Sequence, residues 1–385
     1  MQADGAEGLL ERLVAFPTIA GRSNLELIDW VAKHLDGLGV ETTVVAGPRP
    51  DAANLYAVVG PRDQRGILLA AHTDVVDVEG QDWTGDPFAL RRDGDRLHGR
   101  GTADMKGFVA AALGAVAHAA GRELRRPLHL ALSCDEELGC RGVGSLLDEL
   151  ERLAAPPAFC LVGEPTGMGV AVRHKGKAAA RVRVRGHACH SSAAPLGVNA
   201  VEYAARLIVA VSDAGRALAS EAGEDGFAVP TATLSVGPVH GGMALNTVPD
   251  ACTFDVEARA LPGQDAGALL AGALEPAGRL AEEMARRAPE AGIEIEPLAA
   301  YPGLAAAADR RPADLVARLT GGERDLAVDF GTEAGLYQHR LGVPVVVCGP
   351  GSMAQAHRPD EYVETAQLAA AEALLRRLVS ELAVR

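Results

Sequence analysis

The stretch Ile67-Leu-Leu-Ala-Ala-His72-Thr-Asp74 decides the fold class of this chain. Its five apolar residues predict a strand buried in a parallel sheet, and side chains that alternate along a strand place His72 and Asp74 on one side of its carboxyl end. Open α/β sheets carry their functional sites at that edge. Because a metal-binding histidine commonly donates its second ring N–H to a carboxylate, the pair predicts a ligand and its orienting partner; the alternative is a polar pair that caps the strand.

Residues of metal-ligand type recur after three further strand-like runs and before one helix. They are Asp135–Glu137 after Leu128–Ser133, Glu164 after Phe159–Gly163, His357 after Val343–Cys348, and Asp104 before the Ala-rich residues 108–120. Each has an ordinary alternative, such as a helix N-cap for Asp104 or a solvated acidic turn for Asp135–Glu137. Because the carboxyl ends of parallel strands meet at one edge, the whole set instead predicts a shared metal site.

Composition argues against several classes of partner. The 385 residues include 37 Lys plus Arg and 51 Asp plus Glu, a net charge of −14, and no basic run interleaved with aromatics, which argues against nucleic acid. No apolar run approaches the roughly 20 residues of a membrane span, and the amino terminus lacks the order of a signal peptide. The six cysteines form no Cys-x-x-Cys pair. We therefore expect a soluble, cytoplasmic protein with reduced cysteines and no membrane partner.

The predicted elements divide the chain into two domains. Residues 1–175 and 299–385 alternate helices and strands, as a three-layer α/β domain does. Residues 176–298 have the order βαββαβ of a ferredoxin-like α+β unit, which predicts a domain inserted into the first. Its elements are expected at 177–185, 198–214, 231–239, 252–260, 264–288 and 293–298. In the first domain, short strands are expected at 86–90 and 96–99.

The clustered residue types suit metal-assisted hydrolysis. Imidazole and carboxylate donors without thiolate favour zinc, cobalt or manganese in a catalytic site over a structural zinc. Two divalent ions carry four positive charges, which three ligand carboxylates and one hydroxide would balance. Glu136 and Glu137 are adjacent and cannot point the same way on a strand. One can bind metal while the other takes a proton from water and passes it to a leaving nitrogen.

These motifs resemble those of the peptidase M20 family of dinuclear zinc deacylases and aminopeptidases, and most of all its acetylornithine deacetylase branch. The family patterns stand here as His-Thr-Asp at 72–74, Gly-Arg-Gly-Thr-Ala-Asp-Met-Lys-Gly at 99–107, Asp-Glu-Glu at 135–137, Gly-Glu-Pro-Thr at 163–166 and the segment 356–362. The resemblance covers essentially the whole chain. It implies a zinc-peptidase-like catalytic domain with an inserted lid and dimerisation domain.

The resemblance also implies individual roles in the first domain. Two divalent ions, zinc or else cobalt, would be held by one set of His72, Asp104 and Glu164 and a second set of Asp104, Glu137 and His357. Asp104 would bridge the ions, Asp74 would orient His72, and Glu136 would be the general base. In the family, the peptide bond after the bridging aspartate is often cis.

In the inserted domain, the segment 186–192 resembles the family's Gly-His-Ser-Ser signature, in which a histidine reaches the active site of the partner subunit. His187 is a second candidate, but His190 directly precedes the serine pair and is the residue we predict to act. Asn246 and Arg259 match lid positions that touch substrate; the alternatives are a turn asparagine and a strand-edge arginine. The resemblance thus implies a homodimer through this domain.

The substrate prediction depends on Glu333. The sequence Thr332-Glu333-Ala334 resembles the Thr-Glu-Ala loop of acetylornithine deacetylases, whereas desuccinylases of the family tend to show Thr-Ser-Asp-Gly-Arg. An anionic Glu333 would repel a succinyl group and favour a side-chain ammonium, while Arg259 could take the α-carboxylate as a bidentate pair. Alternatively, Glu333 is a solvated loop residue or caps a helix that opens at Ala334.

The sequence therefore predicts hydrolysis of N²-acetyl-L-ornithine to ornithine and acetate, in arginine biosynthesis. The rival within the family is another deacylase or a dipeptidase, such as succinyl-diaminopimelate desuccinylase, which would share every ligand. A rival of another class is a non-catalytic metal-binding protein. The second rival is disfavoured because neither Glu136 nor any ligand is missing.

Overall fold

The computed structural model describes residues 5–384 and divides them into two compact units. The first unit contains the described residues up to Arg173, together with Leu304–Ala327 and the residues from Thr332 onward. The second contains His174–Gly303 and Val328–Gly331, where the sequence predicts a domain at 176–298. No helix within residues 5–384 has both the length and the apolar composition needed to cross a membrane.

The described residues form fifteen strands and ten α-helices. The strands are β1 (Thr42–Ala46), β2 (Ala53–Val59), β3 (Ile67–His72), β4 (Arg91–Asp93), β5 (Arg96–His98), β6 (Leu128–Ser133), β7 (Phe159–Pro165), β8 (Ala171–His174), β9 (Gly176–Arg185), β10 (Thr233–Gly241), β11 (Ala251–Ala260), β12 (Gly292–Tyr301), β13 (Leu326–Val328), β14 (Val345–Gly349) and β15 (Tyr362–Glu364). The α-helices are α1 (Ala6–Val14), α2 (Leu25–Asp36), α3 (Gly107–Ala120), α4 (Val143–Leu150), α5 (Ala200–Leu218), α6 (Ala266–Leu274), α7 (Pro276–Arg287), α8 (Arg311–Thr320), α9 (Ala334–Leu341) and α10 (Thr365–Leu382).

The first unit is built on a mixed sheet with the order β1-β2-β6-β3-β7-β14-β8-β13. Its centre is parallel, because β3 pairs in parallel with both β6 and β7, and β14 pairs in parallel with β7. Antiparallel pairs flank this centre, with β2 on β6 and β8 on β14. Four carboxyl strand ends therefore meet at one edge of the sheet.

Helices cover both faces of this sheet, which confirms the α/β class. Alternate residues of β3, namely Ile67, Leu69 and Ala71, join a core with α1, α2, α3, α8 and α10. Helices α4 and α9 contact each other, and they contact β2 and β14 without joining that core. Strand β3 is buried along its whole length, as its apolar sequence requires.

The second unit is a four-stranded antiparallel sheet with the order β10-β11-β9-β12. Helices α5, α6 and α7 share one hydrophobic core with this sheet. With β9 beside both β11 and β12, the connections follow the split βαβ pattern of a ferredoxin-like unit. Residues on β9 alternate between buried and more exposed, so one face of the sheet packs on the helices.

Two predicted elements were wrong. The helix expected over 264–288 is divided into α6 and α7 at Pro276, which has no N–H to donate to the preceding turn. The strand expected at 86–90 is a turn, because the Asp86 carboxylate accepts the N–H of Phe88 and Pro87 has no ladder donor. The strand that pairs with β5 is β4, at Arg91–Asp93.

Candidate metal centre

Strand register brings the first two candidate ligands together. Ala70 on β3 is the partner of Val162 on β7, so His72 and Glu164 lie at the same level, two residues further along parallel strands. The His72 Nε2 atom is 3.8 Å from Glu164 Oε1, and both side chains are buried. Strand β3 thus places His72 at the sheet edge, and β7 places Glu164 beside it.

Asp104 lies between the two histidines. It belongs to the irregular segment Thr102–Lys106 that leads into α3. Its Oδ1 atom is 3.0 Å from His72 Nε2, and its Oδ2 atom is 3.1 Å from His357 Nε2. The Asp104–Met105 peptide bond is cis, which confirms the expectation from the family resemblance. One carboxylate therefore offers one oxygen to each side of the cluster.

Glu137 completes the cluster on the side of His357, whose Nε2 atom is 3.0 Å from Glu137 Oε1. The structure brings together all five predicted ligands, in two sets with an aspartate in common. The sets are His72, Asp104 and Glu164, and Asp104, Glu137 and His357, with ligand atoms within 4.8 Å of one another in each.

Asp74 contacts the cluster in a way that the sequence did not predict. The His72 Nδ1 atom donates to the backbone carbonyl of Asp74 at 2.9 Å, whereas the Asp74 carboxylate is 3.6 Å from it. The backbone oxygen therefore fixes the tautomer that leaves Nε2 free to bind metal. The carboxylate of Asp74 instead accepts the backbone N–H groups of Glu136 and Glu137, both at 3.1 Å.

The turn that carries Glu136 and Glu137 separates their side chains. Its first residue, Asp135, has a φ of 53°, and its buried carboxylate pairs with Arg49 and accepts the N–H of Gly21 at 3.0 Å. The Glu137 carboxylate joins the second ligand set, whereas the Glu136 carboxylate belongs to neither set. One member of the pair is thus placed as a ligand, and the other is left beside the cluster.

The neighbouring carboxylates favour positive charge on the two histidines. Burial favours neutral His72, but the hydrogen bond and charge of Asp104, with Glu164 and Asp74, outweigh burial and raise the pKa of His72 well above its ordinary value. Hydrogen bonds to Asp104 and Glu137 raise the pKa of His357 to about 10. Burial opposes ionisation of Asp104, yet its bonds to the two histidines leave the pKa of that carboxyl below its ordinary value.

The other carboxylates favour a cation in the cluster. Burial raises the pKa of Glu136, Glu137 and Glu164, and repulsion by neighbouring carboxylates, including Asp104 for Glu137 and Glu164, raises it further. Buried negative charges of this kind are stable when they are protonated or when cations neutralise them. The donor set of two imidazoles and three carboxylates is one that zinc, cobalt or manganese accepts. The residues present therefore fit a pair of divalent ions.

Glu333 lies in the same unit and is buried, with 2% of its surface exposed. Its Oε2 atom accepts a hydrogen bond from Ser133 Oγ at 2.8 Å, and its Oε1 atom has no hydrogen-bond partner among the described residues. Burial raises the pKa of Glu333 to about 7. It stands before α9 without capping it, since Thr332 Oγ1 accepts the Ala334 N–H, so neither alternative considered for Glu333 holds.

The candidates in the second unit have mostly local partners. His190 is exposed, and its Nδ1 atom is 2.8 Å from the Ser192 hydroxyl oxygen. Asn246 is exposed on a neighbouring segment, and its carbonyl accepts the N–H of Ser191. The structure thus brings His190 and Asn246 together. Arg259 lies on β11 and pairs with Glu257, with Nε 2.7 Å from Oε1.

Sequence reasoning missed one residue that contacts the cluster, Glu361. The carboxylate oxygen Oε1 of Glu361 accepts the backbone N–H groups of Ala103 and Asp104, at 2.9 and 3.1 Å. The motif that supplies His357 continues through Glu361, so this residue was within a recognised pattern. Its role depends on a contact across more than 250 positions of sequence, which no local pattern reveals.

The fold and the site define a class, namely an α/β protein with a two-part metal-ligand cluster at the carboxyl edge of its sheet. Residues 68–381 match Peptidase family M20/M25/M40, and the chain belongs to this family. It is therefore a hydrolase of amide bonds. It is 35% identical, over 95% of each chain, to the acetylornithine deacetylase of Salmonella arizonae.

Solved structures share the fold over nearly the whole chain. An M20 family metallo-carboxypeptidase from Sulfolobus solfataricus has a TM-score of 0.76 at 19% identity, with 98% of each chain covered. Human carnosine dipeptidase 1 has a TM-score of 0.73 at 16% identity, with 98% of this chain and 96% of that chain covered. At these identities, the likeness shows the fold alone.

Proposed function

We propose that this enzyme removes the acetyl group from N²-acetyl-L-ornithine and produces L-ornithine and acetate in arginine biosynthesis. The observation that carries the hydrolytic part is the pair of donor sets that share Asp104, with the Glu136 carboxylate beside them and in neither set. The substrate is supported by relatives named acetylornithine deacetylase, which match 95% of the chain.

We propose that His72, Asp104 and Glu164 hold one divalent ion, and that Asp104, Glu137 and His357 hold the other. Zinc is the first choice and cobalt the second, because imidazole and carboxylate donors without thiolate suit both metals. Such ions would supply Lewis acidity toward a water molecule and the amide carbonyl. The Asp74 carbonyl would keep His72 in the tautomer that presents Nε2 to metal.

Glu136 is the proposed general base. Its carboxylate takes a proton from the attacking water, the new C–O bond forms as the amide carbon becomes tetrahedral, and the C–N bond then breaks. Glu136 returns the proton to the leaving nitrogen, so that water and the amide give acetate and a free amine. The Asp74 carboxylate holds the backbone of this turn, which fixes the base relative to the ligand Glu137.

The second unit is proposed to act as a lid and as the dimerisation domain. Its apolar side chains Met243 and Leu245 are 93% and 101% exposed, so they are available to contact a partner. His190, on the neighbouring segment, is exposed, and within residues 5–384 its one side-chain hydrogen-bond partner is Ser192. We propose that it donates to the oxyanion of the tetrahedral intermediate in the partner subunit of a homodimer.

Three residues are proposed to recognise the substrate. Arg259 would bind the α-carboxylate, and Asn246 would contact the substrate. Glu333 would attract the side-chain ammonium, because its Oε1 atom has no hydrogen-bond partner among the described residues. Since Glu333 is buried, this role requires the loop at Thr332 to open when substrate binds.

We also propose a cytoplasmic location. All six cysteines are free and none forms a disulfide. Five of the six are buried, including the pair Cys134 and Cys140 on the turn that carries Glu136. Free thiols of this kind are typical of a reducing compartment.

The test of the proposed function is a hydrolysis screen with purified protein and added zinc or cobalt. We expect N²-acetyl-L-ornithine to be the best substrate among N-acetyl amino acids, N-succinyl-diaminopimelate and dipeptides. A clear preference for the succinylated compound would overturn the substrate assignment and favour a desuccinylase. A preference for dipeptides would favour the peptidase alternative, with the same ligands retained.

A further inference from the structure

Two segments that carry proposed metal ligands are joined by a buried ion pair that no proposed catalytic step uses. Arg100 stands four residues before Asp104, and Glu361 stands four residues after His357. The Arg100 Nη1 atom is 2.7 Å from Glu361 Oε2, and each side chain is only 1% exposed. An enclosed pair of opposite charges holds its two segments in one arrangement, because separating them would leave a buried charge without its partner.

Glu361 also contacts the backbone of the shared ligand directly. Its Oε1 atom accepts the N–H groups of Ala103 and Asp104, while its Oε2 atom receives the guanidinium of Arg100. The Glu361 carbonyl accepts the N–H of Gly99 at 2.9 Å. The antiparallel pairing of β15 with β5 adds further contacts between the same two segments, since Tyr362 is opposite His98. The segments around Asp104 and His357 are therefore fastened by side-chain and backbone bonds together.

Arg100 is itself held from the other side. Its Nη2 atom donates to the Gln81 side chain, and its guanidinium lies 5.0 Å from the ring centroid of Trp83. A cation over an aromatic face is stabilised there, most strongly when both groups are out of water. Arg100 thus has a fixed position from which it can orient Glu361.

We propose that Glu361, held by Arg100, is a positioning residue for the shared carboxylate of Asp104 and couples the two metal sites. Glu361 holds the backbone of Asp104 at a set distance from the His357 segment. Both carboxylate oxygens of Asp104 are therefore held toward their ligand sets together. Loss of this bond weakens the binding of both ions, not of one. The inference rests on the ligand assignment of the proposed function and adds a residue that lies outside both ligand sets.

The test is metal binding to the metal-free protein, measured by calorimetry with zinc and by metal analysis after dialysis. Glu361→Gln keeps the shape of the side chain but removes the charge that Arg100 needs. We expect the affinity for both ions to fall about 10- to 100-fold, the usual effect of removing a group that orients a metal ligand. Arg100→Lys, which keeps a charge without the planar guanidinium, should change affinity in the same direction by a smaller factor.

Tyr56→Phe is the matched control. It removes a buried hydrogen bond of 2.7 Å between Tyr56 Oη on β2 and His129 Nδ1 on β6, and neither residue belongs to a ligand set. It should lower the melting temperature of the metal-free protein without changing zinc affinity. If Glu361→Gln and Arg100→Lys both lower the melting temperature and leave zinc affinity within twofold of the parent, the pair is only structural and the inference is overturned. If the unmodified protein binds no zinc, the ligand assignment fails as well, so the two failures are distinguishable.

Discussion

The ligand cluster of the first unit and the His190 segment of the second unit hold their polar residues in opposite ways. His72, Asp104 and Glu164 are buried, and each is positioned by residues distant in sequence. His190 and Asn246 are exposed, and the side-chain partner of His190 is only two residues away. The first unit thus assembles its proposed ligand cluster from its own residues, whereas the polar side chains of the His190 segment remain exposed.

The two regions also differ in their metal-ligand sets. Both groups of residues that could hold a metal ion among residues 5–384 lie in the first unit. In the second unit, His187 pairs with Glu290 at 2.6 Å and His190 with the Ser192 hydroxyl. We therefore expect variants of the five proposed ligands in the first unit to affect metal binding, and variants of His190 in the second unit to affect turnover alone.

Glu136→Gln should give the largest effect, a loss of turnover of about 10² to 10⁴-fold, because it removes the proposed general base. Metal content should stay close to that of the parent, since the Glu136 carboxylate belongs to neither donor set. The measurement is kcat on acetylornithine, together with metal analysis of the same sample.

Glu137→Gln is the control for the adjacent position. It should lower metal occupancy as well as turnover, because its Oε1 atom belongs to the second donor set. Near-normal turnover in Glu136→Gln would mean that the roles of the adjacent glutamates have been misassigned.

The features of the site differ in how well the sequence alone could predict them. The sheet edge was predictable, because a run of apolar residues followed by a polar one predicts which strand ends meet there, and the family resemblance supplied the individual ligands. The contact between Asp74 and His72 was not, because the choice between carbonyl and carboxylate depends on the turn at 135–137, which the carboxylate binds instead. Glu333 was unpredictable in the same way, since its hydrogen-bond partner Ser133 lies 200 positions earlier in the sequence.

His190→Ala should reduce kcat by about 10²-fold, the usual effect of removing one donor to an oxyanion, and leave metal content unchanged. His187→Ala is the matched control in the same segment and should keep near-parental activity. Mixed dimers of His190→Ala and Glu136→Gln chains should recover part of the activity if His190 acts across the subunit boundary. Well-formed mixed dimers without recovery would place His190 within its own subunit or outside the reaction.

Removal of metal should destabilise the first unit and leave the second unchanged. Without cations, the buried carboxylates of the cluster repel one another, and a ligand at about 100 times its Kd stabilises a protein by about 2.7 kcal/mol. Amide hydrogen exchange with and without a chelator should show faster exchange around Thr102–Lys106 and little change in β9 to β12. Equal acceleration in both units would mean that metal stabilises the chain as a whole.

Glu333→Gln should give the smallest effect, an increase of roughly 10-fold in KM for acetylornithine, which is the size expected for a lost bond to a charged group. The KM for acetylmethionine, which has no side-chain ammonium, should change less. Equal changes for both substrates would remove Glu333 from substrate recognition and assign its effect to Ser133 and the Glu136 turn.

The central claim is that two metal ions share the Asp104 carboxylate. Metal analysis of four proteins tests it most directly: the parent, Glu164→Ala, His357→Ala and Asp104→Ala. We expect two tightly bound ions per chain in the parent, one in each of the first two variants, and neither in Asp104→Ala, because each single ligand belongs to one set and Asp104 to both. A parent that binds one ion or none, or an Asp104→Ala variant that keeps a full site, would contradict the claim.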